Sequence, residues 1–345
     1  MRLDALRRQD FSLDRYQQAV RETFADFFAA EAPASVVRES EPLGFSPDLW
    51  AKLVAMGATT MGLPESDGGD GATLVELAFV AEEQGRAVAP VPFISHAVAS
   101  RLLARAAAPA GVLAAAASGE RLVTLALRPV MAGARQLVPE GAITRDVVAW
   151  SPEGLALYTT EHPAAHVLNQ GSTPLAWFDP QAGTRTELAT GAAAETLFRA
   201  AVAEWKLLTA AALVGITDTA LRLAVEFASS RRTMGVPIGT LQGVSFPLAD
   251  VATALHGARN LVWKAAWFTE HEPEERPDLP LVAFDYAART ATDATWIAAH
   301  LQGGLGFTVE ADISLYFLRA KGWGVLAGDR NLDRQQIAAT WMRTA

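Results

Sequence analysis

The sequence predicts an α+β protein that is mostly helical, with its segments in the order helical, β, helical. Three observations carry that reading. Apolar residues recur at helical spacing in the first third of the chain. From Leu122 to about Leu188 the pattern breaks into short runs rich in Val, Leu, Thr and aromatics, punctuated by Pro and Gly. After Thr190 helical periodicity returns and holds to the end. The boundaries drawn from these changes are 1–120, 121–192 and 193–345.

Residues 11–30 carry Tyr16, Val20, Phe24, Phe27 and Phe28 at helical spacing, and Glu31 to Pro33 closes the segment. A second helix spans about Pro47 to Met56. Next, Gly62 to Gly71 holds Gly62, Gly68, Gly69, Gly71 and Pro64, which makes a tight loop. A helix from Leu74 to Gly85 ends before Pro90 and Pro92, and Ala-rich helices resume to about Ser118. The β region contains LVTLALRP, DVVAWSPEGLALYTT and PLAWFDP. Beyond it, Leu208 to Ser230 sets Leu213, Ile216, Ala220, Leu223 and Phe227 on one helix face. Two further long helices, Leu248 to Glu270 and Pro280 to Leu301, flank the charged loop HEPEERPDLP.

Half of the 345 residues are hydrophobic, and 29 Lys and Arg against 38 Asp and Glu leave a net charge of −9. That excludes a disordered polyelectrolyte and argues against a nucleic-acid partner. With no cysteine there is no disulfide framework, thiolate nucleophile or Cys-liganded metal. The N-terminal residues lack an apolar leader core, and no uncharged apolar run reaches about 18 residues. A soluble cytoplasmic protein without a membrane span is expected. The six histidines show no HExxH spacing, and His162 and His166, either side of Pro163, suit structural roles, so no metal is expected. GxSxG, Walker and GxGxxG patterns are missing. Trp263 and Trp267, one helical turn apart, suit packing between helices.

Three motifs in order resemble the acyl-CoA dehydrogenase family. The first is Pro64-Glu65, Gly68-Gly69 and Gly71, followed by Glu82-Glu83, Gly85-Arg86, Pro90 and Pro92-Phe93. The second is Arg231-Arg232-Thr233-Met234-Gly235-Val236-Pro237-Ile238-Gly239 with Gln242 and then Leu248-Ala249-Asp250. The third is His300-Leu301-Gln302-Gly303-Gly304-Leu305-Gly306-Phe307. The likeness covers essentially the whole chain. It implies an N-terminal helical domain, a middle β domain and a C-terminal four-helix bundle, with FAD at a dimer interface.

Arg231, at a helix end, has the planar donor fork that suits a pyrophosphate, and Thr233 adds a hydroxyl. Gly303 and Gly304 let a backbone approach a dinucleotide and donate N–H groups. The resemblance implies that these residues, with Gln242 and His300, reach the ADP half of a neighbouring subunit's flavin. Plainer roles stay open at this point: carbonyl or surface-acid pairing for Arg231, a satisfied core position for His300, a simple turn for the glycine pair.

Family chemistry removes an acyl-CoA α-proton with a carboxylate while hydride leaves the β-carbon for the flavin. Aligned on Gly303-Gly304, the usual glutamate position holds Ala327. The alternative position, on the helix before the second motif, holds Trp205. Glu204 is adjacent but turned by about 100°; it reads as a solvated helix-start acid, and Asp329 lies on a loop. The flavin-ring motif of the β domain is replaced by Ala126-Leu127-Arg128-Pro129-Val130-Met131-Ala132-Gly133. The chain thus reads as the smaller, non-catalytic partner in an α2β2 acyl-CoA dehydrogenase. It is similar to short subunits acting on steroid-derived CoA thioesters, with FAD shared with a catalytic subunit and electrons passed to an acceptor flavoprotein. Two alternatives stand beside it: a self-sufficient homo-oligomeric enzyme using Glu204 or Asp329 as base, and a flavin-free helical scaffold or acyl-CoA binder.

Overall fold

The computed structural model describes residues 12–131 and 133–344. Ala132, part of the altered flavin-ring motif, and residues 1–11, which include the N-terminal segment read for a leader, lie outside the described residues. The fold is mostly helical with a small sheet, as the sequence predicts. Helix α1 (Arg15–Glu31) starts at a reciprocal cap in which the Asp14 carboxylate accepts from the Gln17 N–H and the Gln17 side chain accepts from the Asp14 N–H. Phe24 and Phe28 are buried, whereas Tyr16 stands 55% exposed at the first turn, outside the apolar face expected for it.

The N-terminal half continues through α2 (Ala34–Glu39), α3 (Pro47–Ala55), α4 (Leu74–Arg86), α5 (Phe93–Arg105) and α6 (Ala110–Ala117). Helix α4 is buried on all sides from Leu74 to Gly85, which forces its acids to find partners. Glu82 pairs with Arg86 and Arg259, and Asp218 takes both of the same guanidinia, so ion pairs join this helix to the C-terminal bundle.

Strands β1 (Val123–Leu125), β3 (Asp146–Ser151), β4 (Gly154–Thr159) and β6 (Thr184–Ala189) form one sheet in the order β1-β3-β4-β6; β1 runs parallel to β3, and the other pairs are antiparallel. β2 (Gln136–Val138) pairs antiparallel with β5 (Ala176–Phe178). Trp150 of β3 stacks on Phe198 at 5.7 Å, docking the sheet on the next helix. His96 straps α5 to the sheet: its ring accepts from the Val123 N–H at 3.2 Å and contacts the Ala116 carbonyl at 3.1 Å. Burial lowers its pKa to about 4, so it is neutral in this role.

The helix expected from Leu208 is one element of 40 residues, α7 (Gly191–Ser230). By length and composition alone it could cross a membrane, but 72% of its apolar window is buried within the protein, and it is the core helix. It crosses α4 at backbone contact: a Cβ on Gly85 would meet the Ala212 carbonyl oxygen at 1.9 Å, and one on Gly215 would meet that of Glu82 at 1.9 Å. A short hairpin, β7 (Arg232–Thr233) with β8 (Val236–Pro237), leads into α8 (Gln242–His271), which contains Pro247. Helices α9 (Leu279–Leu301) and α10 (Ile313–Trp323) complete the bundle, and α11 (Arg330–Thr344) follows. Trp263 sits edge-on to Phe79 at 5.6 Å, between helices as its spacing implies, while Trp267 stacks on His271 at 4.9 Å within its own helix.

Candidate active site and nucleotide-facing edge

One cavity lies where α4, α5, α7, α10 and the loops of the β region meet. Its wall includes Gln84, Ser95, Glu140, Thr173, Trp205, Thr209, Arg319, Trp323 and Leu326. The free space is about 50 Å³, enough for a few water-sized groups. Of the two positions at which a base is expected, Trp205 lines this cavity and Ala327 follows Leu326 of its wall. Trp205 is 2% exposed, and its indole Nε1–H donates to Ser95 Oγ at 3.0 Å. Leu326 lines the wall and Ala327, next to it, packs on the apolar core. Neither side chain can take a proton.

A carboxyl in the wall of this cavity belongs to Glu140, which no sequence signal singles out. It sits in a left-handed backbone conformation, φ 58°, in the turn after β2. Ser95 hydrogen-bonds it, and Thr124 Oγ1 is 3.5 Å from its Oε2. Removal from solvent pushes its pKa up to about 7 against those two hydrogen bonds. Its partners lie far apart in the chain, and Pro139-Glu140-Gly141 reads locally as nothing but a turn.

Glu204 corrects the sequence reading. It is no solvated helix-start acid: it lies inside α7, 3% exposed, with Arg101 at 3.2 Å and Arg105 at 2.5 Å. Arg101 also holds Glu270 at 3.0 Å and the Gly62 carbonyl at 3.0 Å. Both oxygens of Glu204 are therefore engaged by guanidinia, an arrangement that holds helices together. Asp329 is exposed and accepts from the Asn331 N–H at 2.9 Å, where α11 begins.

The residues implied for nucleotide contact lie elsewhere, on the surface. Arg231 ends α7, is exposed, and forms no side-chain hydrogen bond or ion pair among the described residues, so the expected alternative of a paired helix-end arginine is not what forms. Thr233 lies in the β7–β8 hairpin and Gln242 opens α8, both exposed. His300 is exposed too, which corrects the core alternative; its ring stacks on Trp296 at 5.0 Å with 4° between planes. Gly303 adopts φ 64°, and a Cβ on Gly303 or Gly304 would meet nothing within 4 Å. These residues form two groups, one at the hairpin and one at the end of α9. Apolar side chains accompany them: Met234 is 94% exposed, Leu305 54% and Phe307 56%. An uncovered apolar edge of this kind marks an interaction surface.

Comparison with known proteins identifies the family. The acyl-CoA dehydrogenase N-terminal domain model matches residues 14–116 and the C-terminal domain model matches residues 196–342. The chain is 30% identical over 335 residues to acyl-CoA dehydrogenase IpdE2 of Mycobacterium tuberculosis, covering 94% of this chain and 97% of that relative. Among solved structures, the Tcur3481-Tcur3483 steroid ACAD superposes with a TM-score of 0.86 at 23% identity, covering 95% of this chain and 98% of that one. The ChsE4-ChsE5 complex from Mycobacterium tuberculosis gives 0.85 at 23% identity, over 97% and 100% of the two chains. On its sequence motifs, its fold and these matches, the chain belongs to the acyl-CoA dehydrogenase family of oxidoreductases.

Proposed function

We propose that this chain is the non-catalytic subunit of an FAD-dependent acyl-CoA dehydrogenase, paired with a catalytic subunit as an α2β2 heterotetramer in the cytoplasm. One observation carries the reading: Trp205 and Ala327 stand at the two places where a base is expected, and the cavity that Trp205 lines has about 50 Å³ free. Pockets that enclose drug-sized ligands run to about 300–1,000 Å³. An isoalloxazine and a thioester do not fit there, and Glu140, the one carboxyl in the wall among the described residues, is held by Ser95.

FAD fits the other region. Arg231 offers a guanidinium with no competing acceptor among the described residues, which suits a pyrophosphate. Gly303 and Gly304 leave open space beside their backbone N–H groups, and Thr233 and Gln242 add exposed polar side chains. His300, held parallel to Trp296, presents an aromatic edge. Bound FAD supplies the hydride acceptor for the β-carbon of the acyl group. This chain's residues bind and orient the nucleotide end, while the partner contributes the carboxylate and the ring pocket.

A steroid-derived CoA thioester as substrate, and a flavoprotein as electron acceptor, rest on similarity to the steroid ACAD and to IpdE2. Co-production with a catalytic acyl-CoA dehydrogenase chain tests the reading. The pair should reduce an electron acceptor with an acyl-CoA, and this chain alone should not. Turnover by the lone chain overturns it.

A further inference from the structure

One side of α9 is left open among the described residues. Val282, Tyr286, Arg289, Asp293, Trp296 and His300 follow one another at steps of four, three, four, three and four residues, the spacing of a seam along which two helices pack. All but the half-buried Val282 are exposed, while Ala287, Ala291, Ala294 and Ala298 between them are buried against the bundle. The seam carries two large aromatic rings in solvent, Tyr286 at 40% and Trp296 at 49% exposed. Such a face marks an interaction surface.

The order of residues along the seam specifies what covers it. Reversed about Ala291, the seam maps onto itself: Arg289 and Asp293 stand two residues either side, Tyr286 and Trp296 five, Val282 and His300 nine. A contact between identical surfaces across a twofold axis needs this property, because residue i meets j wherever j meets i. Antiparallel packing of two copies of α9 therefore sets Arg289 of each against Asp293 of the other, and Tyr286 against Trp296. The two charged side chains are 76% and 63% exposed, so both can reach a facing copy. Beside Tyr286 a groove of about 290 Å³ opens between α9 and α11, lined in part by Val282, Ile337 and Trp341. The same packing brings Trp296 of the second copy toward it. Asp285, which falls opposite Ile297, is already held by Arg330 and Arg334.

We infer that α9 is the surface through which two copies of this chain pair, in an isologous antiparallel contact centred on Ala291. His300 lies at the rim of that contact, and Gly303 and Gly304 lie beyond it. The pairing requires neither flavin nor a catalytic chain, so it stands or falls separately from the proposed function. Within an α2β2 assembly it joins the two copies of this chain.

The test is sedimentation equilibrium of the full-length chain alone, which should give a dimer. Arg289→Asp and Asp293→Arg each set like charges across the contact and should raise the Kd of the dimer at least tenfold, with unfolding curves confirming that both variants fold. Mixed together, the two variants face each other with opposite charges and should form a heterodimer with a Kd near that of wild type. A role for the pair inside one helix cannot produce that rescue, because each variant keeps like charges in its own helix. The inference fails if the wild-type chain is a monomer, if either variant dimerises as wild type does, or if mixing the variants does not restore pairing.

Discussion

The indole N–H of Trp205 donates to the hydroxyl of Ser95 at 3.0 Å, locking a bulky side chain from α7 against α5. Trp205 also meets Phe284 edge-on at 6.3 Å, so it is fixed from two sides. At a position where the family resemblance implies a base, the side chain serves packing.

The first prediction follows directly. Ala327→Glu places a carboxylate where the family resemblance implies one, yet the lone variant should show no acyl-CoA-dependent reduction of an electron acceptor. The cavity behind it still lacks room for thioester and flavin. Measurable turnover would show that only the acid was missing.

Arg231→Ala should lower the flavin retained by the two-chain complex at least tenfold, read from visible absorbance after gel filtration. Its side chain is exposed and makes no protein contact among the described residues, so melting of the lone chain should move by no more than about 0.5 kcal/mol equivalent. A large loss of stability with full flavin content would assign Arg231 a structural role.

Glu204→Gln breaks a buried pair and leaves Arg101 under-compensated. Such losses cost about 3–5 kcal/mol, measurable by urea unfolding. Below the shifted melting point, the complex should keep its wild-type kcat. A drop of several orders of magnitude in kcat would instead make Glu204 the base.

Two groups set opposing pH dependences. The pKa of Glu140 is raised from 4.5 to about 7 in the folded chain, so the native state binds more protons than the unfolded one between those values. Stability falls as pH rises through that window, by up to about 3 kcal/mol. His96 is lowered from 6.5 to about 4; the unfolded state binds more protons there, and stability falls as pH drops through it. Urea unfolding from pH 4 to 8 should show that Glu140→Gln removes the loss toward pH 7 and that His96→Gln softens the loss toward pH 4. Unchanged slopes in both variants would refute the assignments.

Much of this architecture was legible in the chain because it follows local periodicity. The Pro90-Val91-Pro92 break and the turn-punctuated β region sit where the pattern places them, and α7 ends at Ser230 as expected but starts earlier, at Gly191. Helix α8 starts at Gln242 rather than Leu248; Pro247 is its sixth residue, and at that depth its missing N–H costs one backbone bond. The ionic role of Glu204 was not legible, since Arg101 and Arg105 reach it from another helix and Arg101 is shared with Glu270 of a third. Glu140 was hidden for the same reason: its surroundings, Ser95 and Thr124, come from separate elements. The turns at Arg231 and Gly303-Gly304 were visible because turn chemistry needs particular residues at particular places.

The most direct measurement is the flavin content of the chain purified with and without a catalytic partner, from absorbance and intact mass. The account predicts none in the lone chain and one flavin per pair in the complex. One flavin on every copy of the lone chain would contradict it.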